Sequence, residues 1–148
     1  MKNISFLSVL VISLAIFSCK EDPKDVALKN FLNEFKIHSK MEKSHVIYFS
    51  PQYSCVCQDK FIYDFVEKAA QNLESNEYLF FTTDKEHPLL KLLSPNIKPI
   101  FYDQNKLFKH DLYYITDRLI YLKSSKVKIN MELDDSVKDD YVEILNTL

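Results

Sequence analysis

Glycine is missing from all 148 residues. Average usage is about 7%, so the absence is a constraint. No position can take a positive φ at no steric cost. Turns must rest on Asn, Asp and Ser, and glycine loops that cradle phosphates are excluded. Arginine occurs once, at Arg118, and no basic stripe is visible, which argues against nucleic acid as a partner. Beyond the N-terminal segment no apolar run is long enough to cross a bilayer, which takes about 20 residues. Lys, Asn, Ile, Phe and Tyr are abundant instead, a composition typical of AT-rich genomes.

The chain opens with Met1-Lys2-Asn3, followed by an uncharged apolar run from Ile4 to Phe17. That run is too short to span a membrane but has the length of a signal-peptide core, roughly 7–15 residues. It ends in Ile16-Phe17-Ser18-Cys19, which resembles the lipobox of bacterial lipoproteins. The resemblance implies that residues 1–18 are a signal peptide and that Cys19 becomes a lipidated first residue. Lasting attachment takes two acyl chains of the palmitate kind or more, because one gives a constant of only about 10⁴ M⁻¹. An ordinary signal peptide with an incidental cysteine is the alternative. Residues 19–25 read as the lipidated cysteine and a polar, unfolded tether. Lysine at position 20 does not look like an inner-membrane retention signal. Lys20-Glu21-Asp22 is similar to the surface-export signal of Bacteroidota lipoproteins, which implies an outer-membrane, surface-exposed location; a solvated linker is the alternative. Without residues 1–18 the chain has 18 basic and 21 acidic side chains and the length of one domain, 26–148.

Hydrophobic periodicity predicts a helix over 25–36, a buried strand over 45–50, a helix over 57–73 and a strand over 78–82. A short helix over 86–93 follows, with Pro88 in its first turn. Residues 94–116 are less regular, with a short extended piece near 98–103. Strands over 119–123 and 126–133 form a hairpin around Ser124-Ser125. Asp135 or Ser136 caps a last helix, lined by Val137, Tyr141, Ile144, Leu145 and Leu148. Helices between the early strands require parallel crossovers, and the closing hairpin makes the sheet mixed. The fold class is α/β, a mixed central sheet flanked by helices.

At the first strand-to-helix turn, Val46-Ile47-Tyr48-Phe49-Ser50-Pro51-Gln52-Tyr53-Ser54-Cys55-Val56-Cys57 resembles the strand and active-site turn of thioredoxin-like proteins. The aromatic position of that turn falls on Tyr53, the first cysteine of the Cys-x-x-Cys motif on Ser54, and the second on Cys57. Later segments are similar to redoxins of the membrane-anchored thiol–disulfide oxidoreductase and peroxiredoxin group: Pro99 to Asp103, Leu107-Phe108, Tyr113 to Ile115 and Leu119 to Leu122. The resemblance covers residues 44–148 and implies a thioredoxin-like fold and protein thiol or disulfide partners. It departs from the family at Ser54 and at Asp117, which stands where the family has a cis-proline facing the cysteines. Arg118 lies near the place of a peroxiredoxin arginine that supports the reactive thiolate.

Two chemistries remain open for Cys55 and Cys57. They are close enough to pair, since disulfide Cα atoms lie about 4.4–6.8 Å apart, and a small strained ring would be labile. A thiol where a helix begins is favoured as thiolate. Redox exchange with Cys55 attacking and Cys57 resolving, or the reverse, is the first reading, with Tyr53, Ser54, Asp117 and Arg118 as candidate supporting residues. A structural staple, or a non-catalytic module that binds an envelope partner, is the second. Thiolates also suit Cu(I), but His45, His87 and His110 lack ligand spacing to them and read as partly exposed surface histidines. No metal site and no cofactor are therefore expected. No serine–histidine–acid arrangement can be placed. Arg118 otherwise reads as a strand-edge ion-pair partner, Tyr113-Tyr114 and Phe80-Phe81 as core, and the acids at 134–135 and 139–140 as a solvated helix start.

Overall fold

Helix α1 (Pro23–Asn33) begins inside the segment expected to be unfolded tether. The Asp22 carboxylate accepts the Lys24 N–H at 2.8 Å, and Pro23 occupies the first turn, where its missing N–H costs nothing. Glu21 pairs with Lys29 of the same helix. The computed structural model describes residues 21–37, 43–52, 57–72, 74, 76–124 and 126–148, apart from the side chains of Cys57, Gln58 and Asp135. The signal peptide expected over 1–18, Cys19, and the loop residues Tyr53, Ser54 and Cys55 lie outside the described residues.

Strand β1 (Ser44–Ser50) is central in a five-stranded sheet. On one side it pairs parallel with β2 (Asn76–Thr82), which pairs parallel with β3 (Ile97–Phe101). On the other it pairs antiparallel with β4 (Arg118–Lys123), which turns back into β5 (Lys126–Glu132) around Ser124. The mixed sheet expected from the order of elements is therefore present. A strand buried on both faces reads as a continuous apolar run, and β1 shows why. Val46 and Tyr48 pack on one face with Phe61, Phe65 and Phe80. Ile47 and Phe49 pack on the other with Leu28, Phe31 and Phe81.

Helix α2 (Cys57–Gln71) lays Phe61, Ile62, Phe65 and Ala69 on the first face, beside α4 (Lys138–Thr147) with Tyr141 and Leu145. Helix α1 covers the second face with Leu28, Phe31 and Leu32, each 0–1% exposed. Full burial of one such side chain is worth roughly 1.5–3 kcal/mol.

Four local expectations are corrected. The helix expected over 86–93 is a single 3₁₀ turn, Pro88–Lys91, because only Leu89 finds full burial there. The segment thought irregular contains α3 (Gln104–Lys109), capped by Asp103, with one buried side chain, Leu107, too few to give a period. The last helix is led by Asp134, whose carboxylate accepts the Ser136 N–H ahead of a 3₁₀ turn, Asp135–Val137. Tyr113, expected in the core, is 67% exposed and stacks on Phe108.

Candidate functional site at the carboxyl end of the central strand

The chain leaves β1 at Ser50 and re-enters regular structure at Cys57, the first residue of α2. Pro51 is buried, and its carbonyl accepts the Thr83 hydroxyl from the loop after β2. The Pro51 end of the loop is thus fixed to the carboxyl edge of the parallel strands. There β1 has a parallel neighbour on one side and an antiparallel one on the other. The crevice outside the carboxyl ends of such strands is where open α/β sheets place their ligands.

Beside that edge lies a buried polar network which the sequence did not suggest. Phe49 stands opposite Arg118, so Asp117 falls opposite Ser50. Asp117 is 3% exposed and accepts two hydroxyls. The Tyr48 phenol donates to its Oδ2 and the Ser50 hydroxyl to its Oδ1, both at 2.8 Å. Ser50 Oγ lies 3.0 Å from His87 Nε2. The Leu89 backbone N–H donates to His87 Nδ1 at 3.2 Å, so that nitrogen carries a lone pair and the ring proton sits on Nε2. The order of donation is then fixed: His87 Nε2–H to Ser50 Oγ, and Ser50 O–H to Asp117.

Burial pushes the His87 imidazole below its ordinary range, with Asp84 opposing in part. Burial raises the Tyr48 phenol well above its own, and the Asp117 charge adds to the effect. Tyr102 is likewise raised, first by burial and then by Asp117.

This network brings a serine, a histidine and an acid together, contrary to expectation, but not as a hydrolytic triad. In a triad the histidine takes the serine proton and the acid holds the histidine. Here the serine proton points at the acid, the histidine donates to the serine, and Ser50 is wholly buried. The signal available in the sequence was Ser50 itself, a polar residue ending an apolar strand.

Arg118 points away from the network. Its Nε donates to Asn130 Oδ1 at 2.9 Å, Nη1 lies 3.4 Å from Glu132, and the guanidinium sits 4.7 Å over the Tyr114 ring. Adjacent strand residues face opposite sides, which separates it from Asp117.

The histidines also separate. His45, at the start of β1, and His87 are buried, not surface residues as expected, because each is held in or against the strands. Burial lowers His45, while Glu77, 3.2 Å from its Nε2, opposes. His110 bonds Glu34 at 2.7 Å on the far side of the sheet. Among the described residues no group of three His, Cys, Asp or Glu side chains is placed to hold a metal.

No protein-family model matches the sequence, and no curated protein matches it either. Solved structures do. A secreted disulfide oxidoreductase of Mycobacterium tuberculosis, homologous to DsbE of E. coli, superposes with a TM-score of 0.56 at 10% identity, over 74% of this chain and 85% of its own. BsSco, a member of the Sco family of cytochrome c oxidase assembly proteins, gives 0.47 at 14% identity, over 72% and 80%. Copper-bound ScoI of Arabidopsis thaliana gives 0.46 at 15%, over 73% and 87%. The likeness is one of fold: sheet order, crossovers and flanking helices make this a thioredoxin-like domain.

Proposed function

We propose that this chain is an exported lipoprotein, anchored to the outer membrane by lipid on Cys19, whose domain exchanges thiols and disulfides through Cys55 and Cys57. The observation that carries the reading is the position of Cys57 as the first residue of a 15-residue helix at the carboxyl end of the central parallel strand. Free N–H groups and the helix dipole favour a thiolate there. The M. tuberculosis disulfide oxidoreductase of the same fold supports it.

In the reaction, the Cys57 thiolate, favoured by the helix terminus, attacks one sulfur of a partner disulfide and expels the other as a thiolate. The Cys55 thiolate then attacks the Cys57 sulfur and releases the reduced partner. Two electrons pass to the partner, and the chain keeps a Cys55–Cys57 disulfide for an envelope dithiol to reduce.

The test is a redox titration of a soluble form starting at Lys20, with free thiols counted by mass spectrometry. Reversible interconversion between about −120 and −270 mV, the span of known oxidoreductases, is expected. Cysteines that never pair, or pair and resist reduction, would end the redox reading. The rival is a non-catalytic module that binds an envelope protein. One observation favours it: Tyr113 and Ile115, just before Asp117, are 67% and 68% exposed.

A further inference from the structure

Tether, helix α1 and the β4–β5 hairpin meet at one corner of the domain. Glu21, Asp22 and Asp25 share an open groove of about 400 Å³ with Lys126, Val127 and Lys128. Val127 packs against the core beneath α1, so the hairpin is held there. Only Lys20 stands between Glu21 and Cys19. Two residues reach at most about 7 Å in any conformation. A lipid on Cys19 therefore brings this corner to within roughly a Debye length, about 8–10 Å, of the headgroups.

The corner differs in charge from the rest of the molecule. Among the described residues, Lys24, Lys29, Lys123, Lys126 and Lys128 stand against three carboxylates, Glu21, Asp22 and Asp25. The rest of the chain after Cys19 has thirteen basic and eighteen acidic side chains. Lys123, Lys126 and Lys128 are exposed, and among the described residues none is in an ion pair. They crowd a hairpin tip with no acidic side chain between Arg118 and Asn130.

We propose that the β4–β5 hairpin tip is a membrane-docking surface, on which Lys123, Lys126 and Lys128 bind the anionic headgroups of the bilayer that carries the lipid anchor. The proposal rests on the lipoprotein reading for its geometry and on the lysines for its chemistry. It also orients the domain. Leu122 stands opposite His45, whereas Arg118 stands opposite Phe49. The hairpin tip and the Ser50–Asp117 network are thus at opposite ends of the strands, about 20 Å apart along seven residues of β1. Docking by the tip turns the carboxyl end of β1 away from the bilayer.

The full chain, produced in bacteria and weighed by mass spectrometry to score lipid on Cys19, would be placed in phosphatidylcholine nanodiscs with or without 30% phosphatidylglycerol. Hydrogen exchange of residues 122–128 is expected to slow several-fold on the anionic discs. The protection should vanish in 0.5 M NaCl and in a Lys123→Gln/Lys126→Gln/Lys128→Gln variant with an unchanged melting temperature. It should persist in Lys85→Gln/Lys91→Gln at the opposite end. In parallel, the soluble form from Lys20 should lose about fivefold in partitioning onto phosphatidylglycerol vesicles for each hairpin lysine removed. Unmodified Cys19 with intact vesicle partitioning would overturn the anchor and leave the docking surface standing. Equal exchange on both discs, together with partitioning indifferent to the three lysines, would overturn the docking surface.

Discussion

Asp117 holds two hydroxyl protons in a place closed to water. Removing the carboxyl leaves the Tyr48 and Ser50 hydroxyls, both 0% exposed, without that acceptor. An orphaned buried polar group costs about 1–3 kcal/mol. Asp117→Ala should therefore lower stability by about 2–5 kcal/mol in urea unfolding, and Asp117→Asn, which keeps an acceptor oxygen, by clearly less. A loss below about 1 kcal/mol for the alanine variant would show that the network is not structural. The residues of this site were unequally legible. Cys55 and Cys57 stand out because two thiols in one turn are rare, and Asp117 because it replaces a proline of the family pattern. Ser50 and His87 did not, because their meeting depends on a loop return from β2 that leaves no local spacing to read.

Helix ends carry the cost of the missing glycine. Lys36 has φ 58° and Asp111 φ 57°. Each follows a helix, α1 or α3, in the left-handed position that glycine usually holds. In both, the next residue's N–H reaches back five residues: Ile37 to the Leu32 carbonyl at 3.4 Å, Leu112 to the Leu107 carbonyl at 3.1 Å. Ile37 and Leu112 are buried, completing the motif. A lysine in this conformation costs about 1–2 kcal/mol more than glycine, offset by glycine's extra freedom in the unfolded chain. Lys36→Gly should raise the stability measured by urea unfolding by a net ~0.5–1 kcal/mol, with a smaller gain for Asp111→Gly, because aspartate tolerates the conformation better. A destabilised Lys36→Gly would refute the assignment of strain. Elements with a strong period, such as Phe61, Ile62, Phe65 and Ala69 in α2, could be read from the sequence. Elements resting on one buried residue, such as Leu107 in α3, could not. The start of α1 was missed because Lys24 and Asp25 look like linker until Asp22 is seen to cap them.

Across the whole molecule, two neutral histidines are locked at opposite ends of β1. Burial holds His45 and His87 below the ordinary value of 6.5. The unfolded chain then binds more protons than the folded one below that value, so stability rises with pH. It should be complete above about pH 6.5 and fall as pH drops toward the folded-state values. The limiting slope is about 1.4 kcal/mol per pH unit for each proton taken up. Protonating His87 also breaks its bond from the Leu89 N–H. Urea midpoints between pH 7.5 and 5 should show the fall, and His87→Gln should flatten it; an unchanged slope would mean that His87 is not the titrating group. The sheet has one further consequence, seen in its two outer strands. β3 presents exposed Lys98 and Pro99, and β5 presents Lys126 and Lys128. Proline and lysine on a sheet edge block the pairing that leads one chain to extend another's sheet. Copies of this protein packed side by side can therefore touch edge to edge without seeding a fibril.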